Sequence, residues 1–289
     1  MRKISDLASL IEPLSVPEFR DLLCVRQPKL VRGGDAGVYA SLLDWESLME
    51  TVLSGAYPAE KLRLTQMTRP VPPLFYRSEA APKAKVIEQI MTLGGSIVAY
   101  GIDQYVPAMA DLCAAIGIEL GEHVVGSAIA TTGSEGALPT HYDDTDILIL
   151  QVEGRKRWVI GNSPVIDPVA GMRPLEGDID QPLLNLVLEP GDILFLPAGF
   201  RHRCEPQSPR SLHLGFFFYP LTVPRIFDLL MRKTVHDDGA RKPLRFVDGR
   251  RSTVEAELKK SIRERVEQLS LDDLIAAHME VDVYPTDKM

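Results

Sequence analysis

The chain reads as a mainly β protein with flanking helices, its strands forming a sandwich or jelly-roll barrel, followed by a short C-terminal helical segment. Three observations carry that reading. Between about residues 122 and 219, short apolar runs recur between Gly- and Pro-containing turns, the pattern of a many-stranded β domain. The residues before about 100 mix brief helical and strand signals, and from Pro224 onward the spacing is helical again. Inside the β region, His141-Tyr142-Asp143 is followed much later by His202, which ends the run Pro190-Gly191-Asp192 to Gly199-Phe200-Arg201-His202.

In chain order, Asp44 is placed to cap a helix over Trp45 to Leu53, and Leu62-Arg63-Leu64 reads as a strand. Pro70-Val71-Pro72-Pro73 is a rigid loop. Ser96 to Tyr100 reads as a strand, and Val106 to Ile116 as a helix ending near Gly117. The β runs are Val124 to Thr131, Asp146 to Val152, Lys156 to Ile160, Leu186 to Leu188, Ile193 to Leu196 and Ser211 to Tyr219. Ile147 to Leu150 is apolar at every position, as in a strand covered on both sides. Glu153-Gly154 fits a hairpin turn. The weakly patterned stretch Gly161 to Pro182 has the length of a functional loop such as a lid. Pro224 to Arg232 is a helix; Ser252 with Glu255 forms a capping box for a helix to about Leu269, and Ser270 with Asp273 starts another. The expected organisation is a barrel domain with an N-terminal α/β lead-in over 1–222, and a helical segment over 223–289 that is a candidate dimerisation element.

The 289 residues are 45% hydrophobic and 25% charged, which suits one large domain or one domain with a small appendage. A net charge of -8 argues against a body built for nucleic-acid binding. No apolar run approaches the roughly 20 residues a bilayer requires, and the N-terminus lacks a secretory apolar core. Cys24, Cys113 and Cys204, odd in number and widely separated, read as reduced thiols, so a cytoplasmic location is expected.

In an extended chain, residues two apart point to one side, so His141 and Asp143 can converge on one ion. His202 must then come from a neighbouring strand. Two neutral imidazoles and a carboxylate that leave several positions open suit Fe(II) oxygen chemistry better than a closed, Cys-rich structural zinc site. The plainer alternative for His141 and Asp143 is a loop hydrogen-bond network.

Gly133 to Asp144, with His141-Tyr142-Asp143, then Asp146-Ile147-Leu148-Ile149-Leu150-Gln151-Val152-Glu153-Gly154-Arg155-Lys156-Arg157-Trp158, resembles the core of the JmjC-related cupin oxygenases, and most closely the ribosomal oxygenase (cupin-4) group. The turn-strand-turn from Pro190 to His202 matches the second signature of that family, and Phe19 to Gly33 is similar to the group's lead-in. The resemblance spans about residues 15 to 225. It implies a double-stranded β-helix holding Fe(II), with 2-oxoglutarate as cosubstrate and O₂ as oxidant, and His141, Asp143 and His202 as the metal-binding catalytic set.

The family commonly places a basic residue at the position of Lys156, to pair with the distal carboxylate of 2-oxoglutarate. The plainer alternative is a surface lysine of the basic run Arg155-Lys156-Arg157, but strand alternation puts Lys156 on the face opposite its two neighbours, which favours the cosubstrate role. For His213 two readings stand side by side: a contact to 2-oxoglutarate or substrate, or a hydrogen-bonded core histidine. Ser127 to Thr131 departs from the family, whose relatives often carry a Tyr or another polar contact there, so the second cosubstrate anchor is unassigned. His123, His236 and His278 read as surface or capping residues. Cys204, Trp158 and Phe216 to Phe218 read as packing residues.

The activity this implies is hydroxylation of an amino-acid side chain in a protein or peptide. The alternatives are an oxygenase acting on a free amino acid or small metabolite of a biosynthetic pathway, and a non-catalytic cupin used for binding. The intact ligand set together with Lys156 argues against the last. Ribosomal oxygenases usually add a dimerisation region and a winged-helix domain, whereas only 87 residues follow His202 here (289 − 202). The partners expected are a protein, peptide or amino-acid-like substrate and a second copy of the chain held through the C-terminal helices, with no membrane and no direct nucleic-acid contact.

Overall fold

The computed structural model describes residues 4–33, 36–78, 81–82, 84–134, 138–169, 172, 177–239, 241, 243, 251–267 and 270–279. Three positions of the quoted motif (135–137), residues 170–171 and 173–176 of the expected lid, and the expected helix end at Leu269 lie outside them. The described helices are α1 (Leu7–Ile11), α2 (Val16–Val25), α3 (Ala36–Ala40), α4 (Trp45–Leu53), α5 (Pro73–Tyr76), α6 (Ala84–Thr92), α7 (Pro107–Leu120), α8 (Val223–Thr234), α9 (Arg251–Glu267) and α10 (Leu271–Met279). The strands are β1 (Lys29–Val31), β2 (Leu62–Gln66), β3 (Arg69–Pro70), β4 (Arg77–Ser78), β5 (Ala81–Pro82), β6 (Gly95–Ala99), β7 (His123–Thr132), β8 (Asp146–Glu153), β9 (Lys156–Gly161), β10 (Pro182–Leu188), β11 (Ile193–Leu196), β12 (His202–Pro206) and β13 (Arg210–Tyr219).

The local signals have local causes. Asp44 accepts the Ser47 amide at 2.8 Å and starts α4 at Trp45. Ser15 and Glu18 close a capping box on α2. The Ser270 hydroxyl oxygen accepts the Asp273 amide at 3.0 Å at the head of α10. α7 runs on through Gly117 to Leu120, because burial of Met109, Leu112, Cys113, Ile116 and Gly117 outweighs the roughly 1 kcal/mol that glycine costs a helix. Ser252 falls inside the first turn of α9, not before it.

An eight-stranded sheet runs in the order β1-β11-β8-β13-β7-β6-β2-β3, and a three-stranded sheet in the order β10-β9-β12. The pairings given for the strands of both are antiparallel, as a double-stranded β-helix requires. Period-two alternation divides the large sheet into two faces. One face carries Leu148, Leu150, Ile193, Phe195, Leu214, Phe216 and Phe218 into the main core, together with Leu7, Leu10, Phe19 and Leu48 from the N-terminal helices. The other carries Ile147, Ile149, Leu194 and Leu196 into a second cluster with Trp158, Ile160 and Leu188 of the small sheet. The double cover expected for Ile147 to Leu150 is therefore present.

The chain divides into two compact units. One takes in most of the chain from the N-terminus to Tyr219, and the other Gly121–His123 with Pro220–Asp282. Within the second unit α8 packs against α10. There His278 is buried, not superficial as its isolated position suggests, and its Nδ1 accepts from Arg225 Nε at 3.2 Å. Among the described residues, no helix is long and apolar enough to cross a membrane.

Candidate metal centre

The polypeptide brings His141 and His202 together through its backbone. The two residues form an isolated antiparallel bridge at the open edge of the small sheet, where His202 begins β12. The His141 amide donates to the His202 carbonyl at 3.0 Å, and the His202 amide donates to the His141 carbonyl at 2.7 Å. Directly paired residues of an antiparallel ladder project to the same side. The two rings accordingly lie 4.3 Å apart, centroid to centroid.

Backbone carbonyls also orient the rings. His141 Nδ1 donates to the Pro139 carbonyl at 2.8 Å, and His202 Nδ1 donates to the Phe200 carbonyl at 3.0 Å. Those bonds place the ring protons on Nδ1 and leave both Nε2 lone pairs available, the usual outer-shell arrangement of metal-binding imidazoles. Asp143 Oδ2 lies 3.9 Å from His141 Nε2 and 3.5 Å from His202 Nε2. One ligand atom from each of the three residues falls within 4.8 Å of the others. Two imidazole nitrogens and a carboxylate oxygen this close together are a fitting donor set for a divalent first-row cation with open positions. His141 keeps 27% of its side chain exposed and His202 only 5%, so the centre opens on the His141 side.

The turn beneath the carboxylate depends on one glycine. Gly199 donates its amide to the Asp143 carbonyl at 2.8 Å, and its carbonyl accepts the Val165 amide at 3.0 Å. Its φ is +84°, and a Cβ there would sit 1.9 Å from the Val165 carbonyl oxygen, so no other residue fits. Asp146 secures the same turn by accepting the Ala198 amide at 2.7 Å; burial raises its carboxyl above the ordinary range.

Deeper between the sheets, Lys156 is fully buried. Its Nζ lies 3.3 Å from Thr131 Oγ1 and 3.2 Å from His213 Nδ1. Among the described residues it makes no ion pair, and burial lowers its pKa. His213, also buried, is pushed well below the usual imidazole range, first by burial and then by the charges of Lys156 and His202. Ser96 donates to the Thr131 hydroxyl oxygen at 3.1 Å. A buried ammonium surrounded by hydroxyl and imidazole groups fits a site for an anion, because its desolvation cost is otherwise uncompensated.

The structure thus gathers His141, Asp143 and His202 at one point, and Lys156 with His213 at another. Sequence reasoning passed over two residues of this region. Thr131 sits in the strand that departs from the family, and its signal is parity: it shares a face with Ser127 and pairs directly with Ser96. Trp158 packs as expected, yet its ring also stacks on His202 at 5.6 Å and meets His213 edge-on at 5.5 Å. Alternation from Lys156 puts it on the inner face. Of the remaining histidines, His236 is exposed and His123 lies 3.2 Å from the Met279 carbonyl.

Comparison with known proteins agrees with this architecture. Residues 104–225 match the JmjC domain family. The chain is 31% identical over 224 residues to Ribosomal oxygenase 1 of Rattus norvegicus, covering 73% of this chain and 36% of that protein. It is 28% identical over 234 residues to the Bifunctional lysine-specific demethylase and histidyl-hydroxylase NO66 of Drosophila grimshawi, covering 75% of this chain and 31% of that one. This chain thus spans about a third of the length of these curated relatives. Among solved structures, the ribosomal oxygenase YcfD of Escherichia coli in complex with cobalt and 2-oxoglutarate superposes with a TM-score of 0.55 at 16% identity, covering 86% of this chain and 67% of that one. The last likeness is one of fold.

Proposed function

We propose that this chain, which carries a JmjC domain on a double-stranded β-helix, is an Fe(II)- and 2-oxoglutarate-dependent dioxygenase that hydroxylates an amino-acid side chain in a protein or peptide. One observation carries the reading: His141, Asp143 and His202 converge at one point, and the Trp158 ring, 5.6 Å from His202 and 5.5 Å from His213, joins that point to the pocket where Lys156 lies buried with no ion pair among the described residues. The names of the relatives, oxygenases and a histidyl-hydroxylase, and the cobalt and 2-oxoglutarate bound to YcfD, support it.

His141 Nε2, His202 Nε2 and an Asp143 oxygen hold the metal, and the Pro139 and Phe200 carbonyls keep both imidazoles in the binding tautomer. Lys156 pairs with the distal carboxylate of 2-oxoglutarate, Thr131 is the second anchor, and His213 supplies a further polar contact. Fe(II), 2-oxoglutarate and O₂ would together supply the oxidising chemistry at this centre, with succinate and CO₂ as the co-products of hydroxylation. The chain contributes orientation and dryness. Trp158, Ile147, Ile149, Ile160 and Leu196 exclude water behind the centre, and the exposed edge of His141 marks the side from which the target side chain enters.

The domain assignment is part of the proposal: a catalytic barrel over 1–222 and a dimerisation element over 223–289. Val223, Phe227, Met231 and Val235, spaced four apart, leave an exposed apolar stripe along α8 and just past its end, and Leu258, Ile262 and Val266 repeat the spacing on α9. A second copy of the chain is the partner that would cover them. Phe227→Asp is expected to reduce the mass measured by light scattering to that of a monomer.

The test of the activity is succinate release that requires both Fe(II) and a protein or peptide fraction, with a mass gain of one oxygen on the target. Failure of the purified chain to bind a divalent metal at the His141 centre rejects the reading.

A further inference from the structure

Lys156 has a property that its cosubstrate role alone does not require. Among the described residues, every group placed against its Nζ is formally neutral in a protein without ligands. β7 contributes the Thr131 hydroxyl and β13 the His213 imidazole. From β12, the thiol of Cys204 acts on it electrostatically, and that thiol is itself raised by burial, which favours its neutral form. On β10 the backbone partner of Lys156 is the apolar Leu188. Glu205 follows Cys204 on β12, but the neighbouring arginines Arg157 and Arg203 engage its carboxylate.

We propose that the buried pocket of Lys156 takes up a proton from solvent when it binds 2-oxoglutarate, so that cosubstrate affinity in this enzyme is coupled to pH. The proposal rests on the oxygenase reading above and concerns the charge state of its anion site. Without an anion, a buried ammonium among neutral groups is unfavourable, and the amine form gains population. An entering carboxylate reverses the balance. The amine accepts one proton from solvent, the ammonium forms a charge-assisted bond to the carboxylate, and no covalent bond changes.

The His213 geometry fits that exchange. Lys156 can donate to Nδ1 only when the imidazole proton lies on Nε2, which keeps His213 neutral beside the cation. The lowered pKa values of both groups agree with a pocket that does not hold two positive charges. By linkage, 2-oxoglutarate affinity is pH-independent below the pKa of the ligand-free lysine and falls by up to about tenfold per pH unit above it.

The experiment is titration calorimetry of 2-oxoglutarate into the full chain saturated with Mn(II), in phosphate and in Tris, at pH values from 6.5 to 9.5. Saturation with metal beforehand keeps proton release by the metal-binding imidazoles out of the signal. The expected result is a buffer-dependent enthalpy reporting proton uptake that grows with pH toward one per site. Lys156→Arg, which cannot deprotonate, binds with no buffer dependence, and His213→Asn keeps the uptake. Normal binding with no buffer dependence at any pH overturns the proposal. So does uptake that survives in Lys156→Arg but vanishes in His213→Asn, which would put the proton on the imidazole. Absence of any 2-oxoglutarate heat in the unmodified chain strikes the oxygenase reading itself, and this inference falls with it.

Discussion

The two faces of the large sheet are made by the same strands and have opposite economies. On the face toward the N-terminal helices, β8 and β13 present Leu148, Leu150, Leu214, Phe216 and Phe218 to Phe19, Leu10 and Leu48. On the face toward the small sheet, the strands carry Thr131 and His213 as well as apolar side chains, opposite Lys156 and Trp158 of β9. A single residue step along β13, from Leu212 to His213, crosses from one regime to the other. The difference separates the work of the fold: burial on the outer face provides stability, and the inner face spends part of it to hold polar groups away from water.

Substitutions on the two faces can therefore break the comparison, beginning with the largest effect. Phe216→Ala on the outer face opens a cavity in the main core and is expected to cost about 3–5 kcal/mol in denaturant unfolding. The fraction that remains folded should still bind one metal. A loss of metal stoichiometry in that fraction would mean that the faces are not separable.

His202→Ala is the converse. Metal affinity should drop by more than about a hundredfold, read by titration with Co(II), while the far-ultraviolet dichroism is unchanged. Retention of tight metal binding would remove His202 from the centre.

Lys156→Met sharpens the comparison further, because it replaces a buried cation by an apolar chain of similar length. The melting temperature is expected to rise by about 2–4 °C, roughly 1 kcal/mol for a chain of this size, while 2-oxoglutarate binding is lost. A fall in melting temperature would show that Lys156 stabilises the ligand-free fold.

The smallest effect is the pH dependence of that gain. The folded pKa of Lys156 lies below its ordinary value of 10.5, so between the two the unfolded chain binds more protons and stability rises with pH. The penalty is complete below the folded pKa and gone above 10.5, so the gap between Lys156→Met and the unmodified chain should narrow as pH rises. A gap that is constant through the alkaline range contradicts the burial argument.

Much of this arrangement was legible in the sequence where a local cause acts. Ile193–Leu196 and Trp45–Leu53 begin and end where turn chemistry and a capping aspartate place them. His141, Asp143 and His202 could be singled out because their types and setting belong to metal chemistry. The strand His202–Pro206 could not be read, since His-Arg-Cys-Glu-Pro carries little strand preference and is held by its pairing with β9. Thr131 was hidden for a related reason. Its importance comes from Ser96 and Lys156, which meet it only across strands.

Composition and periodicity determined the class of the fold and the alternation that divides each strand between two faces, because these depend on side-chain chemistry and on spacing of a few residues. The three metal-binding candidates were singled out by the residue types of His141 and Asp143 together with the family resemblance of the segment that ends in His202. Tertiary structure alone decided that His141 pairs with His202 and that Lys156 and His213 share one buried pocket. Those outcomes depend on strand register, in which a shift of one residue would turn every side chain to the opposite face, and register is set by the whole packed sheet.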